Sequence, residues 1–234
     1  RLLKYTVNDS ILLSNVLLSD AVMFEMLFPK EASFVVKAYE EFTLQSATSI
    51  AERFGRDLNH ISRVSSVALE IYDKMKKLHG YKLRERTLLQ VSAILQDIGK
   101  YVNVKNHALL SYNTITNLDI VGINDHERLI IATVCYYHNG NIPSMDSPIY
   151  NQLSQEDRVM VSKLAAILQI SNAINTSHSP KFEQVNVNMK NGKLNIYLTT
   201  LKNINLEKWA FIAKSKLFRE VYGLNATIIK RGVL

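Results

Sequence analysis

The sequence predicts a mainly α fold, in which a helical bundle is followed by a small α+β domain of the order β-β-α-β. The first observation is that Gly (8) and Pro (4) are scarce in 234 residues, against average usage of roughly 7% and 5%, which favours long helices. The second is that the apolar residues change from helical spacing to strict alternation after Pro180.

Helical patterns extend from about Phe34 to Asn175. An N-cap at Asp57 or Asn59 begins a helix that is predicted to end at Gly80. Its apolar residues recur at the i, i+3, i+4, i+7 positions of an amphipathic helix: Val64, Val67, Ala68, Ile71, Met75 and Leu78. A second helix over Leu88–Leu95 is expected to stop at Asp97-Ile98-Gly99.

Three more helices are predicted before residue 180. Asn106 begins the first of them, which has apolar residues at Leu109, Leu110 and Ile115. Asn124 and Glu127 have the spacing of a capping box and open a helix through Tyr137. After a polar loop, Ser154 caps a helix with the apolar residues Val161, Leu164, Ala165 and Leu168.

The α+β tail is predicted from two alternating runs that flank Asn191-Gly192, a strong signal for a two-residue hairpin. A helix at about Leu206–Tyr222 and a strand at Leu224–Lys230 complete it. The predicted organisation is therefore a connecting segment at residues 1–30, a helical domain at 31–180 and the α+β domain at 181–234.

The composition and charge of the chain limit which binding partners and which cellular compartment are expected. The formal net charge of +7 permits polyanions such as polyphosphate, nucleotides or RNA. Neither G-x-G-x-x-G nor G-x-x-x-x-G-K-[ST] occurs, so the sequence has no nucleotide-cradling loop of these types. Cys135 is the single cysteine, which fits a reducing compartment. Polar residues interrupt the apolar run Ile11–Phe28, so we expect no membrane span and a cytoplasmic location.

Several histidines and one aspartate are candidates for chemistry. His60, His107 and His138 are predicted near helix ends or polar turns, and Asp97 stands where a helix gives way to Ile-Gly. Imidazoles and a carboxylate that converge from separate helices suit a divalent transition metal. On spacing alone, however, a histidine at a helix end is more often an ordinary packed or surface residue.

A series of motifs, in order along the chain, resembles the HD region of the exopolyphosphatase / guanosine pentaphosphate phosphatase family. The family patterns H-x-x-R-V-A, H-G, L-H-D-I-G, H-H-K-H-S, R-Y-H and R-x-A-D-x-L-D have counterparts here. These are His60-Ile-Ser-Arg63-Val64, His79-Gly80, Leu95-Gln96-Asp97-Ile98-Gly99, His107–Ser111, Tyr136-Tyr137-His138 and Gln169–Asn175. The resemblance covers about residues 20–230.

The resemblance also shows which metal ligands have been replaced. An HD site takes ligands from a first His, a His-Asp pair and a later Asp, and related sites add intermediate histidines. Gln96 stands at the His of the pair, Leu110 at an intermediate His and Asn172 at the late Asp. Neutral amides bind transition metals poorly. We therefore expect a degenerate metal site, in which His60, Asp97, His107 and His138 hold at most a weakly bound divalent metal, and no catalytic residue.

In this family the region follows an actin-like ATPase-fold pair of domains that carries the phosphohydrolase site and its Mg²⁺. The resemblance thus implies a C-terminal accessory region that binds polyphosphate or guanosine phosphates, beside N-terminal catalytic domains and in a candidate homodimer. Arg63, Lys100 and Lys105 are the cations expected to line its anion groove. Two alternatives are open: an active metal-dependent HD phosphohydrolase, and a helical dimerisation or interaction domain without a ligand.

Overall fold

The computed structural model describes residues 29–177, 179, 181–190 and 192–232, and only the backbone of 29–36. The chain divides into two compact units, residues 1–41 and 42–234. Of the first, the structure describes only the beginning of helix α1 (Pro29–Arg53). Most of the expected connecting segment and the apolar run before Pro29 lie outside the described residues. No helix in the described part is both long and apolar enough to cross a membrane.

The second unit confirms the predicted fold class, with helices first and a small three-stranded sheet at the end. Its elements are α2 (Leu58–Lys74), α3 (Lys76–His79), α4 (Leu83–Leu95), a 3-10 turn (Ile98–Tyr101), α5 (His107–Ile115), α6 (Asp125–Tyr137), α7 (Pro148–Asn151), α8 (Gln155–Ile174), β1 (Gln184–Lys190), β2 (Lys193–Thr199), α9 (Asn205–Tyr222) and β3 (Asn225–Arg231).

Side-chain caps fix where three of these helices begin. Asp57 accepts a hydrogen bond from the backbone N–H of Asn59 at the start of α2 (2.9 Å). Asn124 and Glu127 form the predicted capping box of α6. The hydroxyl of Ser154 accepts from an N–H in the first turn of α8. Since each cap satisfies backbone donors that the helix itself leaves free, these starts are encoded locally.

The predicted helix from residue 58 to Gly80 is interrupted. At Met75 the backbone (φ −95°, ψ 6°) leaves α-helical geometry, and its N–H is shared between the carbonyls of Ile71 and Tyr72. The chain then makes only the single turn α3, and Leu78, predicted to be on the apolar face, is half exposed. The apolar spacing continues past the break, which is why the pattern did not reveal it.

Helices α2, α4, α6 and α8 pack against one another around the main core. In the tail, β1 and β2 pair antiparallel, with Lys190 opposite Lys193, which confirms the two-residue hairpin. β3 pairs parallel to β2 after the crossover helix α9, and α9 packs on α8. The outer edge of β1 is met by Glu70 of α2, whose carboxylate accepts the N–H of Val187 (2.6 Å). The domain boundary proposed at residue 180 stays a prediction.

Candidate metal and anion site

The carboxylate of Asp97 is held in place by a clamp between the end of α4 and the start of α5. The backbone N–H of Gly99 donates to the hydroxyl of Ser111 (2.9 Å), which in turn donates to the carbonyl of Gln96 (2.8 Å). A Cβ at Gly99 would lie 2.2 Å from the carbonyl oxygen of His107. Only glycine permits so close an approach, and it brings Asp97 next to the first residue of α5.

Three buried side chains meet there: Asp97, His107 and His138, here called the Asp97 cluster. Oδ1 of Asp97 lies 3.6 Å from Nε2 of His107 and 3.2 Å from Nε2 of His138. The two imidazole nitrogens are 3.3 Å apart. Ligands about 2.0–2.1 Å from a tetrahedral ion are about 3.3 Å from one another. The triangle therefore has the size of one face of a tetrahedral metal site.

The orientation of both rings fits metal ligation. Nδ1 of His107 is 2.8 Å from the carbonyl oxygen of Val104, and Nδ1 of His138 is 2.5 Å from that of Cys135. A carbonyl only accepts, so each Nδ1 carries the proton, and in the neutral form of each ring Nε2 presents its lone pair to the cluster. With both rings in this form, three acceptors face one another. A cation would satisfy all three.

The other oxygen of Asp97 already has a cation. Nζ of Lys100 donates to Oδ2 at 2.7 Å. Burial by itself would raise the pKa of Asp97, but the neighbouring His138 and Lys100 outweigh it and hold the pKa well below its usual range. For His107, burial first and the nearby His138 next lower the pKa, which favours the neutral ring. The cluster thus combines one ionised carboxylate with two imidazoles, of which that of His107 is held towards its neutral form.

A second lysine, Lys214 of α9, approaches the cluster from the tail. Burial lowers the pKa of its ammonium group; the charge of Asp97 opposes this effect and that of Lys100 adds to it. Sequence analysis missed Lys214, although a signal was present. The residue stands on the apolar stripe of α9, among Ala210, Phe211, Leu217 and Phe218, where a charged side chain calls for an explanation.

The other predicted ligand positions are placed as follows. His60 is buried on α2, but it does not belong to the group of donor atoms that lie within 4.8 Å of one another. Gln96 is buried, and both polar atoms of its amide have no hydrogen-bond partner in the described part of the chain. Leu110 and Asn172 are half-buried, on α5 and α8. The structure therefore assembles only part of the expected ligand set.

Of the predicted anion-binding cations, only Lys100 is tied to the Asp97 cluster by a contact. Lys105 is exposed. Arg63 is half-buried on α2, and its Nε has no hydrogen-bond partner among the described residues. An unpaired, inaccessible N–H donor of a guanidinium is a costly feature, so Arg63 remains a candidate for an anionic ligand.

A comparison with protein families now bears on this arrangement. The family model described as Ppx/GppA phosphatase, domain III, matches residues 44–217. The chain belongs to the Ppx/GppA phosphatase family. The matched range extends from α1 to α9 and so includes the Asp97 cluster, Lys100 and Lys214. The family resemblance inferred from the sequence motifs is confirmed, and the Asp97 cluster is a feature of this chain's Ppx/GppA domain III.

Proposed function

We propose that this chain is the accessory, polyphosphate-binding region of an exopolyphosphatase-type hydrolase. In this proposal the removal of terminal phosphate from polyphosphate or guanosine pentaphosphate takes place in other domains, in line with the absence of a nucleotide-cradling loop from the sequence. Membership of the Ppx/GppA family supports the general class of hydrolase. The accessory role rests on the charges around the Asp97 cluster.

The observation that carries the proposal is the excess of cations over carboxylates at this cluster. Asp97 is a single carboxylate, yet Lys100 pairs with it and Lys214 lies close enough for its pKa to respond to both. One ammonium group is enough to neutralise Asp97, which leaves the other for a phosphate oxygen. Arg63 and Lys105 are the further proposed contacts along a polyphosphate chain.

The test is a salt titration of polyphosphate binding with two matched lysine variants. Lys214→Met keeps the aliphatic stem of the half-buried side chain and removes its charge. Lys216→Met makes the same change on the exposed side of α9. If Lys214 contacts polyphosphate, its variant should bind more weakly, and the slope of log affinity against log salt should fall by about one unit. The Lys216 variant should retain the parental slope.

Equal losses in the two variants would mean that any surface lysine contributes equally. Binding would then be a diffuse effect of the net charge of +7. That outcome would contradict a defined anion site and leave the helical interaction domain as the better interpretation.

A second candidate function, a metal-dependent HD phosphohydrolase, is favoured by the donor triangle of the Asp97 cluster. Asp97, His107 and His138 would hold the ion, which when bound would act as a Lewis acid and lower the pKa of a coordinated water. Because this cluster has fewer ligands than a full HD site, we propose that it binds the ion weakly and supports no useful turnover. The double change Gln96→His with Asn172→Asp supplies an imidazole and a carboxylate and should strengthen the binding of the ion.

Two measurements separate these functions. Elemental analysis after metal loading reports occupancy, and hydrolysis of a phosphate ester with Mn²⁺ reports turnover. Hydrolysis that is lost in Asp97→Ala would establish the phosphohydrolase and contradict the accessory role. Substoichiometric metal without hydrolysis would support a degenerate site, whereas a full equivalent of metal would contradict it.

A further inference from the structure

The three-stranded sheet of the tail has two chemically different faces. One face is apolar and packs into the core, with Val187, Leu194, Ile196 and Leu198 buried. The alternate residues of each strand form the opposite face, here called the outer sheet face. It is solvent-accessible, since all of its residues on β1 and β3 are exposed and those of β2 are mostly half-buried.

The outer sheet face combines cations with amides. Lys190 and Lys193 lie opposite each other at the hairpin end, and Arg231 lies at the other end of β3. Asparagines occupy the middle of the face on β1 and β2. None of the outward residues of the three described strands is acidic. A surface with this balance attracts a polyanion, and its amides can form hydrogen bonds as donor and acceptor at once.

The centre of the face is an aromatic platform. The guanidinium of Arg231 lies 3.7 Å from the centroid of the Tyr197 ring. Asn186 is paired with Tyr197 across the β1–β2 ladder, and Asn195 accepts a hydrogen bond from the hydroxyl of Thr227 on β3 (2.9 Å). A stacked Tyr–Arg pair flanked by amides offers planar groups for another ring to stack on and polar groups for its edge.

We infer that the outer sheet face binds single-stranded RNA. The phosphates would contact Lys190 and Lys193, one base would stack on the Tyr197–Arg231 pair, and Asn186 and Asn188 would contact base edges. Proteins recognise unstacked RNA bases in this way, by aromatic or guanidinium planes on a sheet and by hydrogen bonds to base edges. Polyphosphate has no bases, so the aromatic ring would not contribute to binding it. Duplex RNA keeps its bases stacked inside and cannot use the platform.

The experiment is fluorescence anisotropy with a labelled single-stranded oligoribonucleotide and the whole chain. Stacking of one base is worth about 1–3 kcal/mol, so Tyr197→Ala should weaken RNA binding roughly 5- to 150-fold. Tyr197→Phe keeps the ring and should bind within about twofold of the parent. Polyphosphate binding, measured in parallel, should be unchanged in both variants.

Further variants guard against a folding defect. Asn188→Ala is on an exposed position of β1 and should weaken RNA binding without disturbing the sheet, which circular dichroism checks. Lys208→Ala removes an exposed cation of α9, away from the sheet face, and should have little effect. RNA binding that survives Tyr197→Ala and Asn188→Ala would overturn the proposal. So would equal losses for RNA and polyphosphate, or equal affinity for duplex and single-stranded RNA. None of these results decides whether Lys214 contacts polyphosphate, because that test uses variants of α9 and not of the sheet.

Discussion

The clamp made by Ser111 predicts a large effect from a very small substitution. Its hydroxyl accepts from the N–H of Gly99 and donates to the carbonyl of Gln96, and the residue is fully buried. Ser111→Ala removes one oxygen and leaves both backbone groups without that partner. An unsatisfied buried polar group costs about 1–3 kcal/mol, so these two backbone groups together should lower the free energy of unfolding by about 2–6 kcal/mol.

Ser92→Ala is the matched control. Ser92 is equally buried, but its hydroxyl donates only to the carbonyl of Leu88, one turn back in the same helix. Removing that bond leaves no backbone N–H unpaired, so the expected cost is below about 1 kcal/mol. Urea denaturation measures both variants; with a slope of about 2 kcal/mol/M, the Ser111→Ala midpoint should fall by about 1–3 M. Equal midpoints for the two variants would refute the clamp.

Two other predictions concern the Asp97 cluster and the Arg84–Glu127 ion pair. Zn²⁺ or Mn²⁺ at about 100 times the dissociation constant should stabilise the chain by about 2.7 kcal/mol. His138→Ala should abolish that stabilisation in a thermal melt, whereas His126→Ala, which alters an exposed ring, should retain it; loss in both would contradict the Asp97 cluster. In the Arg84–Glu127 pair, burial opposes ionisation, but Arg84 and a backbone N–H outweigh it and lower the pKa of Glu127. The ionised Glu127 therefore stabilises the fold fully above the pKa of about 4.3 that a glutamate has in the unfolded chain. This stabilisation is lost as the pH falls through the lower pKa of Glu127 in the folded chain. The urea midpoint of the parent should consequently exceed that of Glu127→Gln at pH 6, and the difference should shrink towards pH 3. A difference that stays constant with pH would contradict the stabilising role of the ionised Glu127.

Much of the fold could be predicted because its signals are local. The caps at Asp57, Asn124 and Ser154 satisfy backbone donors within a few residues of themselves. The two-residue hairpin follows from alternation on both sides of its turn. For these features, the atoms that interact are neighbours in the sequence, so composition and spacing contain the information.

Features that depend on packing between distant segments were not predicted. The buried residues of α5 are His107, Ser111 and Ile115, whereas Leu109 is half exposed. The face of α5 that carries His107 and Ser111 is buried because α5 packs closely on the 3-10 turn at Gly99. Hydrophobic spacing does not reveal such a contact. For the same reason His60 matched a motif without joining the Asp97 cluster, and Lys214 was missed although it lies near that cluster.

The contact between Glu70 and β1 has a consequence for self-association. An edge strand with free N–H and C=O groups is a template on which the strand of another molecule can pair, and so a starting point for aggregation. Glu70 occupies one such N–H, at Val187, with a carboxylate. An incoming strand would have to displace that hydrogen bond and leave a charged group without its donor. The carboxylate therefore makes this edge of the sheet a poor seed for fibrils.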